Sequence, residues 1–493
     1  MPESLKTTSR RSFLKTSLTG VSALTILPSS LIAGLGHRAP SDKLNIAAIG
    51  VGGVGFRNIT NLENNNIVAL CDVDWDYATK AFRRWSNAAR YKDFRLMLEN
   101  EKNIDAVVIA TPDHTHSVAA MAAMQEQKHV YVQAPMAHSV FEARRMSETA
   151  RMFNLVSQVG NQSASGNETR DICEIIWSGA IGEIERVDAW TSQPEWPQGN
   201  KYPQRSMRVP RDLDWNLFLG PSPEIPYHST YTPFGWRAWW KFGNGALGSV
   251  APHLLQPAFA ALKLSAPIEI EAATSNVNLE SAPVSQRLVF GFARRDNMPR
   301  LAMPAMKLYW YDGGLRPEIP AGMPPETSLV NYPEGLVFHG TKGMIICASE
   351  GKNYRVIING ELVNVTPEQK IHRINNAYSG GHEADWVRAC KENSANRLAP
   401  AASFGTQLPL SESILVGSMA VRLQSLRKKL IWNSAQMRFT NINDYEEFEI
   451  SETGEMYIQN GIPKFDVNIS RHNASHFVNQ AVRPVYREGW QQI

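Results

Sequence analysis

Ile46-Ala47-Ala48-Ile49-Gly50-Val51-Gly52-Gly53-Val54-Gly55-Phe56 is the stretch whose reading decides the fold. The mostly apolar run over 43–49 suits a strand buried in a parallel sheet. It passes directly into Gly50-x-Gly52-x-x-Gly55, and the residues over 56–62 can open a helix. A second apolar run, Ile67-Val68-Ala69-Leu70-Cys71, ends at Asp72 and Asp74, so that Asp72 stands 17 residues after Gly55. In a strand–turn–helix–strand unit the first glycine makes the tight turn. The second lets the backbone approach a pyrophosphate, and the third lets helix and strand pack. The free N–H groups at the helix start favour phosphate, and the acid accepts from ribose hydroxyls. Gly50, Gly52, Gly53, Val54, Gly55 and Asp72 are therefore expected to hold a dinucleotide. The acid favours NAD over NADP because it repels a 2′-phosphate; Arg57 is a candidate to offset that repulsion.

The pattern continues downstream. Ile104-Asp105-Ala106-Val107-Val108-Ile109-Ala110 reads as another buried strand and ends at Thr111-Pro112-Asp113-His114-Thr115-His116. A helical stretch over 121–127 and a strand over 129–132 follow, then Gln133-Ala134-Pro135. Alternating strands and helices predict a doubly wound parallel sheet, with ligands at the carboxyl ends of its strands. Thr111, Pro112, His116, Gln133 and Pro135 are expected there. His114 and His116 are expected to shape this pocket rather than bind metal, because no carboxylate–histidine spacing completes a zinc site.

Composition bounds the remainder. A chain of 493 residues, at roughly 100–200 residues per domain, predicts two or three domains. The net charge of +3, with both signs interspersed, excludes the basic stripe of a nucleic-acid binder. Cys71, Cys173, Cys347 and Cys390 form no CxxC pair and are expected as buried free thiols. Ser9-Arg10-Arg11-Ser12-Phe13-Leu14-Lys15 precedes a modest apolar stretch over 18–35, broken by glycine, proline and serine. This reads as a twin-arginine export signal over 1–39, not a membrane span. No later apolar run reaches spanning length, so no transmembrane anchor is expected, and the destination is the periplasm or beyond. A nucleotide cofactor is scarce there, so a protein using one is expected to hold it tightly.

These residues together resemble the glucose–fructose oxidoreductase/inositol dehydrogenase (Gfo/Idh/MocA) family. The resemblance extends through Gly160-Asn161-Gln162, Trp196-Pro197-Gln198-Gly199, Asp212-Leu213-Asp214-Trp215, Trp236-Arg237-Ala238-Trp239-Trp240 and Arg487-Glu488-Gly489-Trp490. It implies an α/β fold: a Rossmann domain over 43–160 and an α+β substrate and oligomerisation domain over 161–493, built on a large, open, mainly antiparallel sheet. It also implies hydride transfer between NAD(P) and a sugar or polyol, in a homo-oligomer. Trp196, Trp236, Trp239 and Trp240 are the candidates for the sugar site, with at least one expected to line it and the rest to pack.

The chain departs from the family pattern at its reacting groups. The family's Glu-Lys-Pro is Gln133-Ala134-Pro135, and its Gly-Asp-x-x-x-His is Gly248-Ser249-Val250-Ala251-Pro252-His253. The histidine remains as candidate base; the lysine and aspartate do not. Lys241 and Lys201 are candidates for the missing positive charge. Three readings stay open: an active oxidoreductase with rearranged groups, a carbohydrate-binding or partner subunit that pairs with an active paralogue, and an enzyme that cleaves glycosides through retained NAD. The acidic segment over 441–461 reads as a surface insertion or subunit contact.

Overall fold

The computed structural model describes residues 43–295, 304–327 and 329–490. The twin-arginine stretch and the apolar run after it lie outside the described residues. Six parallel strands form the first sheet: β1 Asn45–Ile49, β2 Asn66–Cys71, β3 Ala89–Tyr91, β4 Ala106–Ile109, β5 His129–Gln133 and β6 Ser157–Gly160. Their order is β3-β2-β1-β4-β5-β6, the doubly wound order with its switch point between β1 and β4. The strands read as apolar runs because both faces are covered: Ile46, Ala47, Val107 and Val108 have no exposed surface.

The helix after β1 runs over Val54–Asn61, starting two residues earlier than the sequence suggests. The helix after β4 spans Asp113–Gln125, so the Thr111-Pro112 turn feeds straight into it and His114 and His116 lie in its first turn and a half. The polar start of this helix conceals it from a reading of apolar periodicity. Tertiary packing buries Asp113, His114 and His116 all the same.

The second sheet has ten strands: β7 Ile184–Trp190, β8 Glu269–Thr274, β9 Gln286–Phe292, β10 Met306–Tyr311, β11 Gly335–Gly340, β12 Gly343–Ala348, β13 Arg355–Ile358, β14 Glu361–Val363, β15 Leu430–Asn433 and β16 Arg438–Phe439. In the order β14-β13-β12-β11-β7-β10-β9-β8-β15-β16 every neighbouring pair is antiparallel except β7 with β10. The large, mainly antiparallel sheet is therefore as expected. Alternation in β9 turns Leu288, Phe290 and Phe292 inward and leaves Arg287 exposed. The inward face packs in one core with the helices Asn167–Ser178, Gly245–Leu262 and Phe404–Arg422.

Two late segments return to the first sheet. Trp386, Val387 and Ala389 of the helix His382–Lys391 join the core of Ile46, Leu70 and Tyr131. Near the end, Arg487 bonds the backbone of Asn216 and Gly220, and Trp490 packs on Phe94 and Arg95. Between these segments a two-stranded hairpin stands apart, made of β17 Glu447–Gln459 and β18 Ile462–Asn473. It contains most of the acidic segment. All four cysteines are free; three are buried and Cys390 is half-buried. No helix of the described residues is long and apolar enough to cross a membrane.

Candidate active site

A cleft of about 620 Å³ opens at the carboxyl ends of β1, β2, β4 and β5 and reaches the helix Gly245–Leu262. Its floor is the glycine turn. Gly50 has φ +79°, and a Cβ there would lie 2.7 Å from the Ala110 carbonyl carbon; a Cβ on Gly55 would lie 1.9 Å from Gly50 O. Only glycine fits such approaches. The helix Val54–Asn61 has neither a capping side chain nor an acid in its first turn. Phe56 N donates to Gly53 O at 3.1 Å, and the N–H groups ahead of it carry no side-chain cap and remain available to an anion. Backbone closeness and free donors fit the residues to a dinucleotide pyrophosphate.

Asp72 sits at the end of β2, where a ribose acceptor is expected, but the structure gives it another task as well. Its Oδ2 accepts from Val51 N at 2.7 Å and Gly52 N at 3.1 Å, and its Oδ1 accepts from Asp74 N at 3.0 Å. Burial raises its carboxyl to about 6, although these N–H donors pull the other way. Asp72 therefore shapes the glycine turn, and the half-buried Asp74 is the next carboxylate along the cleft. The Tyr77 ring lies over the same turn, where a Cβ on Gly52 would come within 2.2 Å of it.

Thr111, Pro112 and Gln133 line the cleft beside Gly50, Gly52, Gly53, Val54 and Asp72. Gly55, His116 and Pro135 do not; they sit behind its wall. His116 lies between two strand-end loops, with Nδ1 2.9 Å from Pro135 O and Nε2 2.8 Å from Thr111 O; a neutral ring donates to one of these two carbonyls. Burial lowers its pKa to about 4 against the pull of the two carbonyls, so the ring is neutral near pH 7. His114 is held likewise between Phe218 O and Phe242 O. Neither histidine faces a metal site, and no group of three His, Cys, Asp or Glu that could hold an ion occurs among the described residues.

On the opposite wall, Ser249 and His253 lie one turn apart on the same helix and both face the cleft. The His253 Nδ1 is buried without a hydrogen-bond partner, and burial lowers the ring's pKa. Ala134 faces them and offers no donor. Lys241 does not line the cleft: its Nζ stands 5.8 Å from the Tyr202 ring, and burial, partly offset by Glu280, lowers its pKa. Lys201 is engaged at 2.6 Å by Glu452. Of the four candidate tryptophans, Trp236 alone lines the cleft, and the other three pack. Trp239 stacks on Tyr202, Trp240 packs under Arg422, and Trp196 donates to Gln198 Oε1. A network of rings around Trp215, Tyr231 and Phe242 takes up that aromatic surface.

Two charged residues not singled out from sequence, Asp113 and Arg237, also line the cleft. Asp113 is 1% exposed; its Oδ2 accepts from Asn244 Nδ2 at 3.3 Å, and its Oδ1 has no partner. That Oδ2 lies 3.6 Å from where a Gly248 Cβ would stand, beside Ser249. Burial raises the carboxyl to about 7, with Arg237 acting the other way. Arg237 lines the cleft and lies 4.2 Å from the Trp236 ring centroid; burial lowers its pKa, with Asp113 acting the other way. Asp113 stands in a quoted motif, but a motif does not show that one carboxylate oxygen is left unpaired.

Residues 44–161 match an oxidoreductase family with an NAD-binding Rossmann fold, and residues 168–296 match the C-terminal alpha/beta domain of the same family. The chain belongs to the Gfo/Idh/MocA family. Over 206 residues it is 27% identical to glycosyl hydrolase family 109 protein 2 of Shewanella sp. (strain ANA-3), covering 36% of this chain and 45% of that protein. Over 158 residues it is 28% identical to inositol 2-dehydrogenase of Rubrobacter xylanophilus, again 45% of that protein. The chain thus spans somewhat under half the length of these curated relatives. The WlbA dehydrogenase of Bordetella pertussis, solved with NADH and UDP-GlcNAcA, shares the fold: TM-score 0.54 and 15% identity, over 79% of this chain and 99% of that one. So does an aldose–aldose oxidoreductase of Caulobacter crescentus, with TM-score 0.52 and 14% identity, over 79% of this chain and 100% of that one.

Proposed function

We propose that this family member oxidises or reduces a sugar, polyol or glycoside on a tightly held NAD, and that it does so outside the cytoplasm. One observation carries the reading: the glycine turn and the His253–Asp113 wall open into a single cleft. The nicotinamide, when bound, supplies the hydride-accepting carbon. The chain's own residues handle the proton and the charge. His253, neutral near pH 7, takes the proton of a bound hydroxyl. Asp113, with its free Oδ1, replaces the carboxylate that Ser249 lacks. Arg237 brings the positive charge that Ala134 lacks, while Trp236 offers an apolar face to a sugar ring. The twin-arginine stretch supports export, and export favours a cofactor that is not released. Asp72 and Asp74 at the end of β2 support NAD over NADP, although Arg57, the candidate to offset their charge, also lines the cleft.

Mass spectrometry of natively purified protein tests the cofactor; the expected result is NAD in stoichiometric amount, and an empty protein overturns the reading. Turnover of bound NAD with a panel of sugars tests the chemistry.

Ala134 and Ser249 also support a second reading, a carbohydrate-binding or partner subunit that keeps the fold without hydride transfer. It predicts a sugar-induced rise in melting temperature with unchanged nicotinamide absorbance. Release of aglycone from a chromogenic glycoside, without net NADH, marks the glycoside-cleaving alternative suggested by the glycosyl hydrolase name of some relatives.

A further inference from the structure

We propose that the hairpin formed by β17 and β18 is a self-association arm, whose outer apolar face packs against the same face of a second copy of this chain. The proposal is independent of the activity.

The pairing places Met456 opposite Phe465 and Ile458 opposite Pro463, with a register shift between Thr453 and Met456. Strand alternation therefore gathers Met456, Ile458, Phe465, Val467 and Ile469 on one face. All five are exposed, at 54–70% of their surface. The reverse face carries Tyr457, Ile462, Lys464, Asp466 and Asn468, with Ile462 at the hairpin's tip. This is the amphipathic pattern of a ribbon with a core on one side, yet no third strand joins it among the described residues.

The base of the hairpin shows which way that face looks. Phe448 and Ile450 lie on the reverse face and are buried, Phe448 packs on Phe477, and Glu452 bridges to Lys201. The reverse face is thus the one toward the protein's own body. Glu449 and Arg471, paired at the base of the apolar face, are half and two-thirds exposed. The apolar stripe points away from the body, and none of the described residues covers it.

The area identifies a second copy as the occupant. Five such side chains present roughly 300–600 Å² of apolar surface, as large as the largest patch on an ordinary monomer. Two stripes packed face to face bury up to about 1,000 Å², the threshold for a specific interface. A two-fold axis near Met456 and Phe465 sets the aromatic and the methionine at the centre, where anchors belong. An isolated two-stranded hairpin is marginal in water, and a second apolar face supplies the missing layer.

Sedimentation velocity of the full-length chain tests this. We expect an even number of subunits at about 10 µM, a concentration at which weak contacts fall apart. Phe465→Asp with Ile469→Asp is expected to halve that number, or weaken association by roughly 30-fold or more, at an unchanged melting temperature of the body. Lys464→Glu, on the reverse face, is expected to leave assembly unchanged. Phe465→Cys under mild oxidation is expected to give a disulfide-linked pair, a positive readout that does not depend on the destabilising variants. The proposal is overturned by a monomeric wild type, whether or not it binds vesicles or another protein. It is equally overturned by an aspartate variant that assembles as the wild type does, or by a Phe465→Cys chain that does not cross-link.

Discussion

Asp113 decides how the departures at Ala134 and Ser249 are read. A chain that lost both groups with nothing in their place would be a poor oxidoreductase, because each positioned group contributes about 10²-fold or more. The fold instead brings a carboxyl with one unpartnered oxygen and a guanidinium to the same cleft. Asp113→Asn is expected to lower turnover by roughly 10²-fold or more and to abolish a pH-dependent limb near 7, with NAD content unchanged. Unchanged turnover and pH profile would return Asp113 to a purely packing role. His253→Asn is expected to cost about 10²–10⁴-fold, again with cofactor retained, as read by redox cycling.

The same carboxyl makes a stability prediction. Its value of about 7 in the folded chain lies above the ordinary 3.8. Between those values the folded state holds a proton that the unfolded chain has released, so its contribution to stability falls as pH rises through this window. Asparagine cannot ionise and removes that dependence. The melting temperature of Asp113→Asn relative to the wild type should therefore climb from pH 4 to pH 8; a flat difference across that range contradicts the assigned burial cost.

At the scale of elements, the glycine turn is legible from sequence because its requirements are local. Strand, turn, helix start and second strand lie within 30 residues, and periodicity with glycine spacing is enough to place them. Gly55→Ala forces a Cβ to within 1.9 Å of Gly50 O. Overpacking of this kind typically costs about 1–3 kcal/mol, and here it also splays the helix from the strand. Urea unfolding should show the loss, and the isolated protein should carry no NAD. The helix Asp113–Gln125 is harder to read, because the groups that open it are polar and two of them, Asp113 and His114, are buried against Asn244, Phe218 and Phe242 of the second half. The tryptophans show the same limit. The family resemblance makes four of them sugar-site candidates, but which indole faces a cleft and which another ring depends on neighbours far along the chain, such as Tyr202 for Trp239.

At the scale of the whole molecule, the first sheet is completed by residues more than 200 positions beyond its last strand. Trp386 is fully buried against Tyr131 at a ring separation of 5.6 Å. Trp386→Ala is expected to cost about 3–5 kcal/mol, measurable as a lowered denaturant midpoint. For the same reason a fragment over 43–160 is expected to fail as an independent NAD-binding domain; a fragment that folds cooperatively and binds NAD would show that the returning helix is dispensable.

The sequence by itself determined the family, the Rossmann unit, the dinucleotide turn and the absence of the usual lysine and aspartate, because each is written in short-range spacing and residue identity. The tertiary structure alone decided that Asp72 shapes the turn, that Lys241 and three of the four tryptophans stand away from the cleft, and that Asp113 and Arg237 occupy it. Those outcomes depend on which groups burial leaves paired, and pairing is set by contacts between residues distant in the chain, which no local pattern encodes.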